Sequence, residues 1–251
     1  MNILSVDWDY FFPCMDNYDW CHSERSFMLD LIWSTRVGAF DLLTKQKAIE
    51  TLVPKDYEEF WAKMRFAFPQ QLIIAETHVD LYHILSGCVS VSIWNFDAHH
   101  DLGYENDNRR LNCGNWANHL LKEERMGEYH VIYPSWRKEF PETKNEYMSI
   151  NNTMRRVEIH HEIPKLPLFN VIFICRSSAW TPPWRDNCWM KFINWWKRNR
   201  EHAWKEKRFS EFVLKARGLT LKKAVAERAQ RIKDFDLLEK LNTDQPALKA
   251  I

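Results

Sequence analysis

Glycine is scarce in this chain: only 6 of its 251 residues are glycine. Neither the GxGxxG pattern of dinucleotide-binding loops nor the GxxxxGK[ST] pattern of phosphate-binding loops occurs. Both patterns depend on glycine because the backbone must turn tightly and approach phosphate oxygens closely. The sequence therefore gives no support for a dinucleotide-dependent enzyme or for a P-loop nucleotide hydrolase.

Other common signals are also missing. No window is apolar and long enough to cross a bilayer, and the chain reaches Asp7 without the basic and apolar regions of a signal peptide. The 6 cysteines include no CxxC pair, which favours a reduced, cytoplasmic protein. The formal net charge is only +1, so a generic polyanion binder is not expected.

Charge is unevenly distributed along the chain. Residues 185–251 contain 17 Lys/Arg against 9 Asp/Glu, whereas residues 1–184 contain 18 against 25. We predict a catalytic domain over 1–184 and a basic, aromatic helical extension over 185–251 that packs on it. Such an extension can hold an acidic leader peptide, a nucleic-acid strand or a neighbouring subunit, or can serve only as a helical cap. No nucleic-acid recognition motif is present.

Short apolar runs rich in Val and Ile alternate with segments of helical spacing. The runs barely alternate between apolar and polar residues, which is typical of strands covered on both faces. The predicted strands are Asn2–Val6, Gln71–Ala75, Cys88–Phe96, Tyr129–Tyr133 and Phe169–Cys175. The predicted helices in the same region are Ser26–Leu43, Asp56–Phe66 and Trp116–Glu124. This pattern predicts a three-layer α/β/α fold with a mostly parallel sheet.

The densest group of chemically active residues follows the third predicted strand and reads Asp97-Ala98-His99-His100-Asp101. In an extended stretch alternate side chains share a face, so Asp97, His99 and Asp101 can converge. Open α/β sheets bind ligands at the carboxyl ends of their strands. Because such a cluster is costly to bury without a cation, a metal site is favoured over a solvated acidic loop.

Two other strand ends carry candidate ligands. Asp7 and Asp9 follow the first strand two residues apart, and His78 follows the second strand. By itself a His after a strand, such as His78, is more often an ordinary loop residue than a ligand. Together the four carboxylates and two imidazoles exceed one tetrahedral zinc site, and such mixed ligation suits a pair of Mn²⁺ ions. A metal pair can activate water to attack a guanidinium, amide or ester carbon.

These motifs resemble those of a known enzyme family. Asp-Ala-His-x-Asp at 97–101 is similar to the signature of the arginase/ureohydrolase superfamily, and Ser5-x-Asp7-x-Asp9 resembles that family's second metal motif. Gly114-Asn115 resembles part of its Ser-Gly-Asn-x-His motif. The Asp-x-Asp strand comes first here, an order that resembles the peptide arginases, which convert arginine to ornithine within ribosomally made peptides during their maturation. The resemblance covers roughly residues 2–184.

The resemblance implies a cofactor of two Mn²⁺ ions and a role for each matched residue. Asp7 and Asp97 would bridge both ions. The other ligands would complete the two shells as the pairs His78 with Asp101 and His99 with Asp9. A metal-bridging hydroxide would attack the guanidinium carbon of a peptidyl arginine, and urea would leave. The expected partner is therefore an arginine-containing precursor peptide, with or without a leader, rather than nucleic acid or membrane; a homo-oligomer is compatible with this.

The chain departs from the family pattern at the expected proton-transfer and substrate-binding positions. Ala117 stands at the place of the shuttle histidine, so His119 and His100 are the candidate catalytic residues. Gly103 replaces an Asn that grips the carboxylate of free arginine, which favours a peptide substrate. The candidate substrate-binding residues are Asn115, Glu76 and Trp180, with Asp80, Glu105 and Asp107 as further sources of negative charge.

Three other functions fit the same residues. A small-molecule ureohydrolase could act on agmatine, which lacks the carboxylate that Gly103 fails to bind. A single-zinc deacetylase, which shares the superfamily fold, needs only one of the two metal sites. The chain could also be a non-catalytic metal-binding module that presents its basic extension to a partner, a reading supported by the missing shuttle histidine.

Overall fold

The computed structural model describes residues 1–13, 28–43, 52–103, 110–139, 156–199, 204–208 and 217–243. These residues form an α/β fold whose single sheet has seven strands in the order β5-β4-β3-β1-β6-β2-β7. The strands are β1 Asn2–Asp7, β2 Phe66–Ala75, β3 Val91–Phe96, β4 Met126–Ile132, β5 Val157–His160, β6 Phe169–Cys175 and β7 Trp204–Arg208. All their pairings are parallel, so the predicted fold class is confirmed.

Helices cover both faces of this sheet. They are α1 Leu29–Leu43, α2 Val79–Ile84, α3 Trp116–Lys122, α4 Asp186–Asn199 and α5 Leu221–Thr243. On one face, Trp189 and Phe192 of α4 belong to a cluster with the β1 side chains Leu4 and Val6. On the other face, α2 and α3 pack on alternate side chains such as Ile3 of β1. Burial on both faces explains why the strands read as continuous apolar runs.

The strand order determines where the candidate ligands meet. β1 lies between β3 and β6, with Val6 opposite Phe96 and Asp7 opposite Cys175. β2 pairs with the far side of β6, where Ala75 is also opposite Cys175. Because all strands run in one direction, the carboxyl ends of β1, β2 and β3 lie at the same end of the sheet. The predicted ligand segments begin at that carboxyl end.

The helix predicted over Asp56–Phe66 is wrong. The segment forms a short 3-10 turn over Phe60–Lys63, and Phe66 already begins β2. Phe60 and Trp61 are buried in the aromatic cluster beneath α4, where the Trp61 ring stacks 4.7 Å from the ring of Phe192. Apolar spacing predicted burial correctly, but a short turn presents these rings to the core as well as a helix does.

The basic segment after residue 184 is not purely helical as predicted. Its strand β7 pairs with β2 and forms one edge of the sheet, so the extension completes the fold of the preceding domain. Asp186, at the start of α4, is buried and accepts hydrogen bonds from the Arg217 guanidinium at 2.6 and 3.1 Å. Arg176 Nη2 lies 3.0 Å from the same carboxylate. In the part of the chain that is described, no helix is long and apolar enough to span a membrane.

Candidate metal centre

Four ligand atoms converge around His78, which directly precedes α2. Its Nδ1 lies 3.0 Å from Asp7 Oδ2 and 3.4 Å from both Asp97 Oδ2 and Asp101 Oδ2. All four side chains are buried. Ligand atoms that share one ion through bonds of about 2.0–2.2 Å lie roughly 3.0–3.5 Å apart. Each of the three carboxylate oxygens therefore lies at a ligand-to-ligand distance from the His78 nitrogen, and we call these four residues group one.

A second group of three ligands adjoins the first. His99 Nδ1 lies 3.0 Å from Asp9 Oδ2 and 3.6 Å from Asp97 Oδ1. Asp9 Oδ2 is buried and accepts no well-aligned hydrogen bond from the described residues. Asp97 thus presents Oδ2 to group one and Oδ1 to this second group, which we call group two. One carboxylate shared by two ligand groups is the arrangement of a bridging ligand in a two-metal site.

The backbone around the carboxylates is held in unusual local geometry. Asp7 ends β1 and accepts a hydrogen bond from the backbone N–H of Asp9 at 2.9 Å. This bond caps the 3-10 turn that begins at Trp8. Asp101 adopts a positive φ of 55°, a left-handed conformation that costs energy in a non-glycine residue. Two residues of α3 hold Asp101 in place: the Ala117 N–H donates to its carbonyl at 3.2 Å, and Trp116 Nε1 donates to its side chain.

A shell of hydrogen bonds orients the candidate ligands. Ser5 Oγ lies 2.9 Å from His78 Nε2, which leaves Nδ1 for group one. Asn95 donates to Asp97 Oδ2 at 2.9 Å and to the Tyr129 hydroxyl at 3.0 Å. Trp116 Nε1 donates to Asp101 Oδ2 at 2.5 Å. Such outer partners fix ligand orientation in metal sites. Sequence reasoning assigned no such roles, although the two-residue period of a strand places Ser5 beside Asp7 and Asn95 beside Asp97.

Burial and crowding oppose ionisation of most of these carboxylates. Burial raises the pKa of Asp7 well above its usual value, and neighbouring carboxylates raise it further. Burial likewise raises the pKa of Asp101. At Asp97 burial is outweighed by hydrogen bonds from His99 and by the nearby imidazoles, so its pKa falls to about 2. Burial lowers the pKa of His78 to about 4, which keeps it neutral, as a ligand must be.

The side chains of the two groups are of the kinds that bind divalent cations. The two groups offer four carboxylates and two imidazoles, an oxygen-rich set that matches hard or borderline ions such as Mn²⁺. Without a cation, the buried carboxylates repel one another and can ionise together only at high cost. Buried His/Asp clusters of this kind can hold metal ions, and the sequence-predicted ligand residues all lie in them.

Stabilisation of the protein by manganese should increase with pH. In the metal-free folded state, Asp7 and Asp101 keep their protons at pH values where the unfolded chain has lost them. The contribution of these two carboxyl groups to folding stability therefore decreases as pH rises, and a cation bound to their ionised forms would offset this loss. We expect the rise in melting temperature on adding Mn²⁺ to be larger at about pH 8 than at about pH 5.5. An equal or larger rise at the lower pH would contradict this picture.

Removing the hydrogen-bond partner of His78 should weaken manganese binding. Ser5→Ala deletes the hydroxyl that orients the imidazole and changes little volume, so we expect affinity to fall roughly 10- to 100-fold. Isothermal titration calorimetry with Mn²⁺ measures the change. Ser34→Ala is the matched control, since Ser34 is also buried but donates to the Leu31 carbonyl within α1. Equal affinity of Ser5→Ala and wild type would remove Ser5 from the site.

Three residues that the sequence predicted for catalysis or substrate binding lie in different places. His100 is fully buried, and its Nδ1 accepts the Leu102 N–H at 3.0 Å, so its ring proton lies on Nε2. His119 lies on α3 with its ring 6.1 Å from the ring of Tyr82 on α2, a contact outside groups one and two. Asn115 is bonded within the loop before α3, accepting from Asn112 N at 2.8 Å. The structure therefore brings none of the three into the ligand groups, and their roles stay predictions.

Two residues that the sequence predicted to contact the substrate lie near the carboxyl end of the sheet. The Trp180 ring is 4.8 Å from the ring of His99, and the Arg36 guanidinium lies 5.0 Å above Trp180. Glu76 follows β2, and its buried Oε2 lies 3.9 Å from Arg176 Nη1 without a hydrogen bond from the described part of the chain. Burial raises the pKa of Glu76, whereas Arg176 lowers it. The alternatives Glu105 and Asp107 lie outside the described residues.

Cys175 is a candidate ligand that sequence reasoning missed. It ends β6 directly opposite Asp7 and is fully buried. Its Sγ, a carboxylate oxygen of Asp7 and a ring nitrogen of His78 lie within 4.8 Å of one another. The thiol donates to the Glu76 carbonyl at 3.5 Å. Its position in the register beside Asp7 is the signal that could have identified it, once the strand order is known.

Comparisons with known proteins add no relative to this description. No protein-family model, no curated protein and no solved structure matches the chain. The resemblance to peptide arginases therefore rests on the motifs at Asp7–Asp9 and Asp97–Asp101, and membership of that family stays a prediction. What the structure adds is the convergence of those two motifs with His78 in one buried cluster of potential metal ligands.

Proposed function

We propose that the chain is a binuclear manganese hydrolase that converts arginine side chains within a peptide to ornithine and releases urea. The observation that carries this proposal is the position of Asp97, whose two oxygens face two different ligand groups. A solvated acidic loop would not bury a carboxylate between two imidazoles. The proposal also draws on the sequence resemblance, which supplies the reaction and the peptide substrate.

A manganese pair held there would supply Lewis acidity and lower the pKa of water enough for hydrolysis near neutral pH. The protein's own residues supply the rest of the site. Ser5, Asn95 and Trp116 hold three ligands in place through the hydrogen bonds described above. In the net reaction water adds to the guanidinium carbon, and the bond between that carbon and Nε breaks. Urea leaves, and Nε takes a proton to become the ornithine amine. His100 and His119 remain the candidates for moving that proton.

The surroundings of the site suit a cationic, peptide-bound side chain. An acidic cluster attracts a guanidinium, and the buried Glu76 oxygen at the same sheet edge retains capacity to accept a hydrogen bond. Trp180 beside His99 already carries one guanidinium, that of Arg36, on its ring. This contact shows that the Trp180 ring can bind a guanidinium by a cation–π interaction. Gly103, with no side chain to hold a free carboxylate, is compatible with a residue inside a peptide.

A reducing compartment such as the cytoplasm suits this assignment. No disulfide joins the described cysteines Cys88, Cys113, Cys175 and Cys188. Ribosomally made precursor peptides are present in that compartment as well. The proposed partner is therefore an arginine-containing precursor peptide, and a leader segment on that peptide could contact the basic extension.

Substrate turnover tests the proposal. The manganese-loaded protein is incubated separately with an arginine-containing peptide, with the same peptide carrying lysine instead, with free arginine and with agmatine. Urea release and peptide mass are then followed. We expect urea and ornithine only from the arginine peptide, and no turnover by Asp97→Asn. Turnover of agmatine alone would assign a small-molecule ureohydrolase. Two bound ions with no turnover of any substrate would favour the non-catalytic metal-binding module.

A single-zinc hydrolase is the second candidate, favoured by one observation. Cys175 adjoins Asp7 and His78 in group one, and thiolates prefer zinc over manganese. Metal selection separates the two candidates, because the zinc hydrolase would bind one Zn²⁺ tightly and lose it in Cys175→Ala. The binuclear manganese hydrolase would bind two Mn²⁺ ions and keep them in that variant.

A further inference from the structure

A second cluster of potential ligands lies at the opposite edge of the sheet from β7. It consists of His130 on β4 with Glu158 and His160 on the edge strand β5. The side chains of the two histidines are 12% and 21% exposed, and that of Glu158 is 66% exposed. The imidazoles are therefore mostly covered, while the carboxylate reaches solvent.

This cluster is separate from groups one and two. His130 is paired with Trp94 in the register of β3 and β4, and its ring stacks on that of Trp94 at 4.3 Å. Trp94 belongs to the core on the α4 side of the sheet. Asn95, which binds Asp97, points to the opposite face because neighbouring strand residues alternate. A metal bound by His130 would therefore not share a ligand with the manganese site.

The three ligand atoms form a nearly regular triangle. His130 Nδ1 is 3.2 Å from His160 Nε2 and 3.3 Å from Glu158 Oε2, and the third side, from His160 Nε2 to Glu158 Oε2, is 3.6 Å. Bonds of about 2.0–2.1 Å in tetrahedral geometry place zinc ligands roughly 3.3–3.4 Å apart. The triangle thus matches one face of a zinc tetrahedron.

The ligands are held on rigid elements. The register of β4 and β5 places Glu158 directly opposite His130, and His160 follows on the same face two residues later. The His160 ring lies 5.5 Å from the His130 ring at an interplanar angle of 21°. Side chains fixed by strand pairing and stacking lose little freedom when they bind an ion, which favours a preorganised site.

The far nitrogen of His130 has a carboxylate nearby but makes no hydrogen bond to it. His130 Nε2 lies 3.9 Å from Glu128 Oε2 and is buried without a hydrogen bond from the described residues. The Glu128 oxygen itself accepts a hydrogen bond from Ser92 Oγ at 3.2 Å. Each neutral imidazole carries one N–H, which can bridge one edge of the triangle. A cation satisfies all three atoms at once.

We propose that His130, Glu158 and His160 form a mononuclear Zn²⁺ site whose fourth position is open to water. The donor set of two imidazoles and one carboxylate is one that zinc accepts in proteins, and an open fourth position distinguishes it from a closed structural site. The bound ion would also connect the four-residue edge strand β5 to β4.

Zinc binding to the manganese-saturated protein tests the proposal. We expect one Zn²⁺ per chain beyond the two manganese ions, measured by calorimetry and by metal analysis after gel filtration. Co²⁺ in its place should give the intense visible absorption of tetrahedral cobalt. Affinity should fall more than about 100-fold in His160→Gln, beyond the effect of losing an outer partner. Glu158→Gln, a change at an exposed side chain that leaves the fold intact, should also weaken binding.

Two controls separate this site from the manganese centre. His161→Gln alters the adjacent exposed histidine and should bind zinc as the wild type does. Asp97→Asn should lose manganese but keep this zinc ion, so failure of the proposed function would leave the zinc site standing. Unchanged zinc affinity and cobalt spectrum in His160→Gln and Glu158→Gln would overturn the proposal, as would zinc binding that disappears only in Asp97→Asn.

Discussion

Asp97→Asn is expected to remove most of the bound manganese and most of the hydrolytic activity. The substitution keeps the side chain's shape, but an amide nitrogen has no lone pair available for a metal. The remaining oxygen can therefore act as a ligand in only one of the two groups. We expect manganese content to fall from two ions to fewer than one per chain. Turnover should fall by at least about 10³-fold, more than the 10- to 100-fold typical of losing an outer partner.

The variant protein should still fold, because burial of a neutral amide beside Asp7 and Asp101 is easier than burial of a further carboxylate. Circular dichroism and thermal melting of the metal-free protein check this directly. Asp30→Asn is the matched control, since Asp30 is an exposed carboxylate on α1. Full metal content or full activity in Asp97→Asn would contradict the two-metal assignment.

Asp186→Ala is expected to reduce the free energy of unfolding by about 3–5 kcal/mol. The carboxylate is buried between two arginines, Arg176 and Arg217, and the latter also donates to the Ser178 carbonyl at 2.9 Å. Removing Asp186 takes away the carboxylate that both guanidinium groups share and leaves Arg176 facing Glu76 at 3.9 Å. Urea unfolding followed by tryptophan fluorescence measures the loss.

This prediction depends on burial, so an exposed carboxylate provides the comparison. Asp234 lies on the solvent side of α5, where it accepts a hydrogen bond from Gln230 at 2.8 Å. Asp234→Ala should change the unfolding free energy by no more than about 0.5 kcal/mol. A loss below about 1 kcal/mol in Asp186→Ala would show that the buried arginines find other partners.

The ligand residues could be predicted because parallel strands place their ends together. Asp7 and Asp97 lie far apart in the sequence, but each follows a buried apolar run by one residue. Once both runs are parallel strands of one sheet, their carboxyl ends must lie at the same end of the sheet. His78 was harder to predict, since nothing in Glu76-Thr77-His78 distinguishes a ligand from a loop residue. Its assignment needed the position of β2 beside β6.

Other elements could not be predicted because edge strands lack an apolar signal. β7 reads Trp-Lys-Glu-Lys-Arg, and charges are the residues that edge strands tolerate and use against aggregation. β5 has only four residues, of which Glu158 and His160 are polar. The proposed zinc ligands lie on that strand, so their proximity to His130 follows only from the register of β4 with β5.

Crystals grown with Mn²⁺ and measured at the manganese absorption edge would test the central claim most directly. We expect two anomalous peaks on either side of Asp97, one contacted by His78 and Asp101 and the other by His99 and Asp9. The same crystals of Asp97→Asn should show neither peak at full occupancy. A single peak, or manganese found only outside groups one and two, would contradict a binuclear centre bridged by Asp97.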